Sequence, residues 1–208
     1  MRPAGFLVGL LAVSAFGADT DVARTLKAVE TRYNSANTLQ VLFHEEYTPP
    51  GRPHRADSGT LTLSKPTRVR WEYSQGKLWI CDGKQVSWYQ PQEKLLELSP
   101  FKESDDLRTP IAFLLGKLHF DKEFRNLQSR PEGTGLRIQA EPKIDSLPYT
   151  QVEFVISAHN EIRELKVTGI DKSILFFTFD QEKMNPPVDP KLFQFKAPAG
   201  TEVVEVGK

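Results

Sequence analysis

The chain has 208 residues with 27 basic and 27 acidic side chains, so its formal net charge is zero. This balance argues against nucleic acid as a partner and against strong attraction to anionic membrane surfaces. The length fits a single domain, and the lone cysteine, Cys81, excludes an intramolecular disulfide.

Residues 1–17 are predicted to form a secretory signal peptide. A positive charge at the second residue precedes an apolar run at 6–13, and Ala15 and Gly17 place small residues at the −3 and −1 positions of a cleavage site. The alternative, an uncleaved membrane anchor, is disfavoured because the apolar run is too short to span a bilayer. We therefore expect cleavage near Gly17 and one exported domain of residues 18–208.

Residues 19–36 are predicted to form a helix with a single apolar stripe. Its apolar residues recur at intervals of four, three and four. They are Val22, Leu26, Val29 and Tyr33. Because the stripe is narrow, we expect this helix to cover another element rather than to be surrounded by the core.

Eleven short β-strands are predicted, each separated from the next by turn residues. They are 39–47, 57–64, 67–74, 77–82, 84–90, 94–98, 120–127, 134–140, 149–157, 161–170 and 173–181. The Asp82-Gly83 pair between two β-rich runs is a strong hairpin signal. Short connections favour a meander, so the sequence predicts a mainly β protein with one large, strongly curved antiparallel sheet or barrel.

The strands between Ser58 and Tyr89 carry an apolar face with one charge on it. Period-2 alternation places on that face Leu61, Leu63, Lys65, Val69, Trp71 and Tyr73. Lys65 is the unusual member, because it stands beside the turn at Pro66 on an otherwise apolar surface. Such a face either packs a core or lines an apolar cavity.

A short helical turn is predicted within residues 104–118, starting at Thr109 and Pro110. Residues 111–115 are all apolar, so this turn is either buried or lies over a hydrophobic cavity. Towards the C-terminus, we expect a helical turn at Asp189 and then a last short strand or tail.

No catalytic or metal-binding constellation is visible in the sequence. The histidines are scattered without the spacing of metal ligands: His44, His54, His119 and His159. Motifs for an esterase elbow, a dinucleotide fold or a phosphate-binding loop do not occur. The sequence therefore predicts a protein that is not an enzyme and that holds neither a metal nor a cofactor.

Two further reactive features are expected to be inert. The neighbouring carboxylates of Glu45 and Glu46 point to opposite faces of a strand, so they cannot act as an acid and base pair, and we expect both to be solvated. Cys81 has no basic neighbour in the sequence, so it is interpreted as a buried thiol on a strand.

Aromatic side chains are abundant on the predicted strands, and most of them are expected to be ordinary core. A single curved sheet covered by two or three short helices nevertheless has a concave face larger than the helices can fill. The remaining space would be an apolar cavity suited to acyl chains, because each buried CH₂ contributes about 0.8 kcal/mol without any specific polar contact.

Four segments together resemble the periplasmic outer-membrane lipoprotein carrier family (LolA). In chain order they read G-T-L-T-L-S-K-P-x-R-V-R-W-E-Y, L-W-I-C-D-G-K-Q-V-S-W-Y, T-P-I-A-F-L-L and F-Q-F-x-x-P-x-G. The resemblance implies an unclosed β-barrel of eleven strands with a lid of short helices. It also implies a periplasmic shuttle that takes acylated lipoproteins from an inner-membrane ATP-driven release complex to an outer-membrane acceptor. Independently of the resemblance, our default expectation is a monomer.

The resemblance also implies roles for individual residues. In this family a basic residue before the proline, usually arginine, holds the lid closed through hydrogen bonds to the lid backbone, and this position is Lys65 here. Its expected lid partners are Leu26, Leu114 and Leu115. Because lysine lacks the planar fork of a guanidinium group, the lid contact is expected to be weaker or to reach fewer carbonyls. The expected wall of the acyl-chain cavity consists of Phe43, Leu61, Leu63, Val69, Trp71, Tyr73 and Ile111.

Other readings of the sequence stay open to different degrees. A carrier of another lipid or hydrophobic molecule fits the same cavity, since an apolar wall does not select a head group. A lipoprotein-sensing domain of a regulatory protein would carry an additional C-terminal domain, and the outer-membrane acceptor of the same pathway would need an N-terminal lipobox cysteine. An exported hydrolase is disfavoured by the missing catalytic motifs.

Overall fold

The computed structural model describes residues 16–101 and 118–207. Within these ranges there are two α-helices, α1 (Phe16–Ser35) and α2 (Phe120–Glu123), and a 3-10 turn at Pro190–Phe193. The strands are β1 (Thr38–Thr48), β2 (Arg55–Ser64), β3 (Arg68–Tyr73), β4 (Leu78–Cys81), β5 (Gln85–Gln90), β6 (Leu95–Pro100), β7 (Phe124–Glu132), β8 (Gly135–Pro142), β9 (Tyr149–Ile156), β10 (Ile162–Gly169), β11 (Ile174–Met184) and β12 (Glu202–Glu205).

All of these strands belong to one sheet with the order β12-β6-β5-β4-β3-β2-β1-β11-β10-β9-β8-β7. Neighbouring strands are antiparallel, except that β12 pairs parallel to β6. The sheet does not close, because β12 and β7 are its two edges in the described part of the chain. The predicted fold, an unclosed antiparallel barrel with few helices, is confirmed, and β12 adds one strand to the eleven that were expected.

One predicted strand begins too early. Residues 120–123 form α2 rather than the start of the strand predicted at 120–127. The helical turn brings Phe120 and Phe124, four residues apart, to the same side, where both are buried against Phe154 at ring-centroid distances of 5.5 and 5.7 Å. Burial of two aromatic rings thus overrides the β pattern at this point.

Helix α1 packs its apolar stripe on the buried face of the sheet, here called the inner face. Val29 and Tyr33 are buried in the same core cluster as the strand residues, and Val22 and Leu26 are partly buried against it. The helix predicted at 19–36 and its covering position are therefore confirmed. The predicted signal peptide lies almost wholly outside the described residues, and its cleavage near Gly17 stays a prediction.

The centre of the inner face is a group of aromatic rings contributed by three different strands. Phe43 meets Trp71 edge to face at 4.6 Å, and Trp71 lies 5.3 Å from Phe177. Such aromatic pairs contribute about 0.5–1.5 kcal/mol each beyond their buried area. They therefore fix the register of β1, β3 and β11 as well as filling the space between them.

Gly59 lies where this part of the sheet is most crowded. In register it stands between Phe43 on β1 and Tyr73 on β3, whose rings meet at 5.3 Å. A Cβ atom at this position would come within 1.9 Å of the carbonyl oxygen of Glu72. The absence of a side chain therefore lets β2 approach β3 closely and leaves room for the two rings.

Replacing Gly59 by alanine is expected to lower the free energy of unfolding by about 1–3 kcal/mol, because the backbone of β3 must shift to admit the methyl group. Urea denaturation measures this difference, and Ser58→Ala on the neighbouring position is the control. Equal stabilities of the two variants would contradict the close approach.

Cys81 is fully buried on β4 between Val69 and Val86, which confirms the prediction of an inert thiol on a strand. Burial raises the pKa of the thiol from its ordinary value of 9.0 to about 11, with a smaller contribution from the charge of Asp82. The thiolate is the reactive form, so the folded protein keeps Cys81 in its unreactive form at neutral pH.

We expect Cys81 to resist alkylation by iodoacetamide at pH 8 in the native protein and to react at once in urea. Because the folded state holds the thiol proton more tightly, the contribution of Cys81 to the free energy of unfolding is complete below pH 9 and falls as the pH rises towards 11. A Cys81→Ala variant should lack this part of the pH dependence. Native-state alkylation as fast as that of the unfolded chain would contradict the assignment.

Candidate functional site

The inner face of β1, β2 and β3 forms a continuous apolar wall. Cross-strand pairs place Leu61 opposite Trp71 and Leu63 opposite Val69. All the predicted wall residues in the described part of the chain are at most 4% exposed: Phe43, Leu61, Leu63, Val69, Trp71 and Tyr73. In this conformation the wall is therefore covered.

The cover in the described part of the chain is α1. Val29 and Tyr33 belong to the same buried core cluster as the wall residues, and Leu26 is partly buried against that cluster. Three other residues that the sequence assigned to the lid or the cavity, Ile111, Leu114 and Leu115, lie outside the described residues. The roles of the lid and cavity residues stay predictions.

Lys65 fastens the end of this cover to the sheet. It follows β2 directly, and its Nζ donates hydrogen bonds to the carbonyl oxygens of Tyr33 at 2.7 Å and Asn34 at 3.1 Å. These carbonyls belong to the last turn of α1, where carbonyl groups have no partner within the helix and the helix dipole is negative. Desolvation by burial lowers the pKa of Lys65 from its usual range.

The contact of Lys65 is thus with backbone oxygens at the C-terminal end of α1. Leu26 lies about two turns earlier on the same helix and meets the core through its side chain. The sequence predicted by parity alone that Lys65 lies on the apolar face. In the structure its ammonium group bonds the carbonyl oxygens of Tyr33 and Asn34. One flexible ammonium group bonds two carbonyls without the planar fork of arginine.

A second polar contact fastens the same turn from the other side. Glu182 on β11 accepts hydrogen bonds at one carboxylate oxygen from Arg32 Nε at 3.0 Å and Nη2 at 2.6 Å, and at the other from the Tyr33 hydroxyl at 2.6 Å. The Tyr33 hydroxyl in turn accepts the backbone N–H of Ile162 at 2.9 Å. Burial, together with the charge of Glu182, raises the pKa of the Tyr33 phenol well above its usual range.

A third group of bonds joins α1 to the chain that leads into α2. The side chain of Asn34 donates to the carbonyl of Leu118 at 2.8 Å and accepts the Leu118 N–H at 2.5 Å. Glu30 accepts the Phe120 N–H at 2.9 Å. The last two turns of α1 are therefore bonded to four parts of the chain that are distant from α1 in sequence. These are Lys65, residues 118–120, Ile162 on β10 and Glu182 on β11.

Glu30 also comes close to His119 and Asp121, which the sequence did not suggest as neighbours. One Glu30 oxygen accepts the Phe120 N–H at 2.9 Å, and the other is 3.0 Å from Lys27 Nζ and 4.0 Å from His119 Nδ1. Because both oxygens already have hydrogen-bond donors, this group is a polar bridge between α1 and α2, and we assign no metal to it.

The prediction of a solvated Glu45 is wrong. Glu45 faces inward with the parity of Phe43, is only 8% exposed, and accepts a hydrogen bond from the Tyr73 hydroxyl at 3.1 Å. Glu46 points outward and lies 3.5 Å from His44, so the expected opposite orientation of the two carboxylates is confirmed. The inner wall therefore carries a polar pair that alternation alone did not reveal.

None of the helices in the described part of the chain combines the length and the hydropathy that crossing a membrane requires.

Comparisons with known proteins point to one family. A sequence model described as outer membrane lipoprotein carrier protein LolA matches residues 34–196. An outer-membrane lipoprotein carrier protein from Nitrosomonas europaea is 27% identical over 186 residues, covering 88% of this chain and 89% of the relative. A protein of the same description from Chromobacterium violaceum is 24% identical over 207 residues, covering 98% of each chain.

A solved structure shares the fold. It is an uncharacterized conserved protein from Thermus thermophilus, with a TM-score of 0.52 and 14% sequence identity, and the match covers 89% of this chain and 99% of that one. At this identity the likeness concerns the architecture of the sheet alone.

Proposed function

Because the chain belongs to the outer membrane lipoprotein carrier family LolA, we propose that it is a periplasmic carrier that binds the acyl chains of lipoproteins on its inner wall. In this proposal the protein takes lipoproteins from an inner-membrane release complex driven by ATP and delivers them to an outer-membrane acceptor. It catalyses no reaction of its own.

The observation that carries this proposal is an apolar wall whose cover is fastened by polar bonds at one end. The wall residues Leu61, Leu63 and Trp71 are at most 2% exposed in this conformation. An acyl chain laid on such a wall gains about 0.8 kcal/mol for each CH₂ group that leaves water. Binding of this kind needs no specific polar contact, so it suits lipoproteins whose polypeptide parts differ.

Release is the harder step for such a carrier, because several acyl chains would otherwise bind too tightly to leave. The cover and the acyl chains compete for the same wall, and the bonds from Lys65 to Tyr33 and Asn34 exist only when α1 is in place. These bonds therefore favour the closed, empty state and lower the apparent affinity for cargo. A partner that opens the cover loads the carrier, and closure of the cover helps it to unload.

A carrier of another lipid or hydrophobic molecule would use the same wall. The buried pair of Glu45 and Tyr73 is a polar feature that a head group or a peptide amide could meet there. The lipid and lipoprotein alternatives therefore differ in the cargo and not in the mechanism of the cover.

The variant Lys65→Leu is expected to fold and to hold lipoprotein more tightly than the wild type. Loss of a charge-assisted hydrogen bond worth about 1.5–3 kcal/mol in the closed state slows transfer to acceptor membranes by about tenfold or more. The measurement is the rate at which a purified complex with a fluorescent diacylated lipoprotein gives up its cargo to vesicles that carry an acceptor.

Two variants serve as controls for this experiment. Lys65→Arg keeps a cationic donor and should release cargo at least as fast as the wild type, and Lys84→Leu makes the same chemical change at an exposed lysine. Release from Lys65→Leu as fast as from the wild type would refute the role of this contact. Failure of the wild type to bind any diacylated lipoprotein, while it binds free phospholipid, would favour the alternative cargo.

A further inference from the structure

We propose that Glu182 is a positioning residue that places the two carbonyl acceptors of Lys65, an inference that rests on the proposed carrier function. Glu182 is not one of the wall residues, and its side chain is 6% exposed. It acts through Tyr33, whose backbone oxygen bonds Lys65 and whose hydroxyl bonds Glu182. One residue of α1 thus joins the two fastenings.

The topology of the sheet explains why both fastenings meet at this turn. The start of β1 pairs with the end of β2 on one side and with the end of β11 on the other, with Thr38 opposite Ser64 and Leu39 opposite Met184. Lys65 follows β2 directly, and Glu182 lies near the end of β11. The two charged residues therefore flank the start of β1, which is the strand that α1 leads into.

Glu182 holds the last turn of α1 by bonding side chains of that turn and not the backbone of the helix. Its two oxygens accept three hydrogen bonds, two from Arg32 and one from Tyr33. Since the Tyr33 hydroxyl also accepts the N–H of Ile162, the phenol is held at its far end by two elements of the sheet. The ring and the carbonyl that faces Lys65 belong to the same residue, Tyr33. Holding the ring in place therefore also restricts the position of that carbonyl.

The lysine at the fastening makes this positioning necessary. An arginine presents a rigid, planar set of donors that imposes its own orientation on the acceptors, whereas an ammonium group on a flexible stem does not. The bond directions must therefore be set by the acceptors. Glu182 contributes to that order from the opposite side of β1 by holding the side chains of Arg32 and Tyr33. Asn34 is held separately through the bonds of its side chain to Leu118.

The test is a double-mutant cycle between Lys65→Leu and Glu182→Gln, with the release rate of the fluorescent diacylated lipoprotein as the readout. An amide at 182 keeps the shape but offers one acceptor oxygen, so it cannot serve Arg32 and Tyr33 together. In the wild-type background, Glu182→Gln should slow release about fivefold. In the Lys65→Leu background, it should change release by less than about twofold, because the fastening it serves is already absent.

Two further variants separate positioning from a general loss of stability. Tyr33→Phe removes one donor to Glu182 without removing its charge and should reproduce part of the slowing, again only when Lys65 is present. Glu164→Gln, which removes an acceptor 3.0 Å from Arg137 elsewhere on the sheet, should leave release unchanged. Equal slowing by Glu182→Gln in both backgrounds would overturn the proposal, since a structural role alone predicts additive effects.

Hydrogen exchange of the ligand-free protein distinguishes failure of this proposal from failure of the carrier function. The Ala36 N–H, which bonds the Tyr33 carbonyl, reports on the order of the turn. Glu182→Gln should speed its exchange when Lys65 is present and have little further effect in Lys65→Leu. If the wild type binds no lipoprotein, the carrier function fails, but the exchange experiment still tests the role of Glu182. Equal effects of Glu182→Gln on the exchange of this N–H in both backgrounds would overturn the positioning role.

Discussion

The structure depends on which groups supply hydrogen bonds to the carbonyl oxygens at the C-terminal end of α1. The last carbonyls of a helix have no partners of their own, and here Lys65 supplies donors to two of them from the neighbouring turn of the sheet. The ammonium group also meets the negative end of the helix dipole. In the proposed function, this contact belongs to the closed state, in which the helix covers the apolar wall.

Apolar burial and polar fastening have different tasks in this fold. Contacts of Val29 and Tyr33 with the core hold α1 on the inner face in the same non-directional way in which an acyl chain would be held. The polar bonds at the end of the helix are directional, and in the proposed function they form only in the covered state. A carrier needs both, because a wall that binds acyl chains without a competing cover would retain them.

The sequence predicted the sheet, the covering helix and the apolar face well, because period-2 and helical patterns are local properties of the chain. It also placed Lys65 on that face by parity. It did not reveal Glu182, which bonds a residue 150 positions earlier in the chain, nor the bridge from Glu30 to Phe120. Contacts between residues so far apart in the chain can be predicted only when the order of the strands in the sheet is known. The burial of Glu45 was not predicted, because its hydrogen-bond donor, the Tyr73 hydroxyl, lies on another strand and is not apparent from the neighbouring sequence.

Native mass spectrometry of the protein purified from the periplasm tests the central claim most directly. If the inner wall takes up the acyl chains of lipoproteins when α1 moves aside, the spectrum should contain a complex of one carrier with an acylated polypeptide, whose lipid-modified N-terminus tandem fragmentation would identify. Finding only phospholipid or free fatty acid on the protein would contradict the claim and assign the wall to a different cargo.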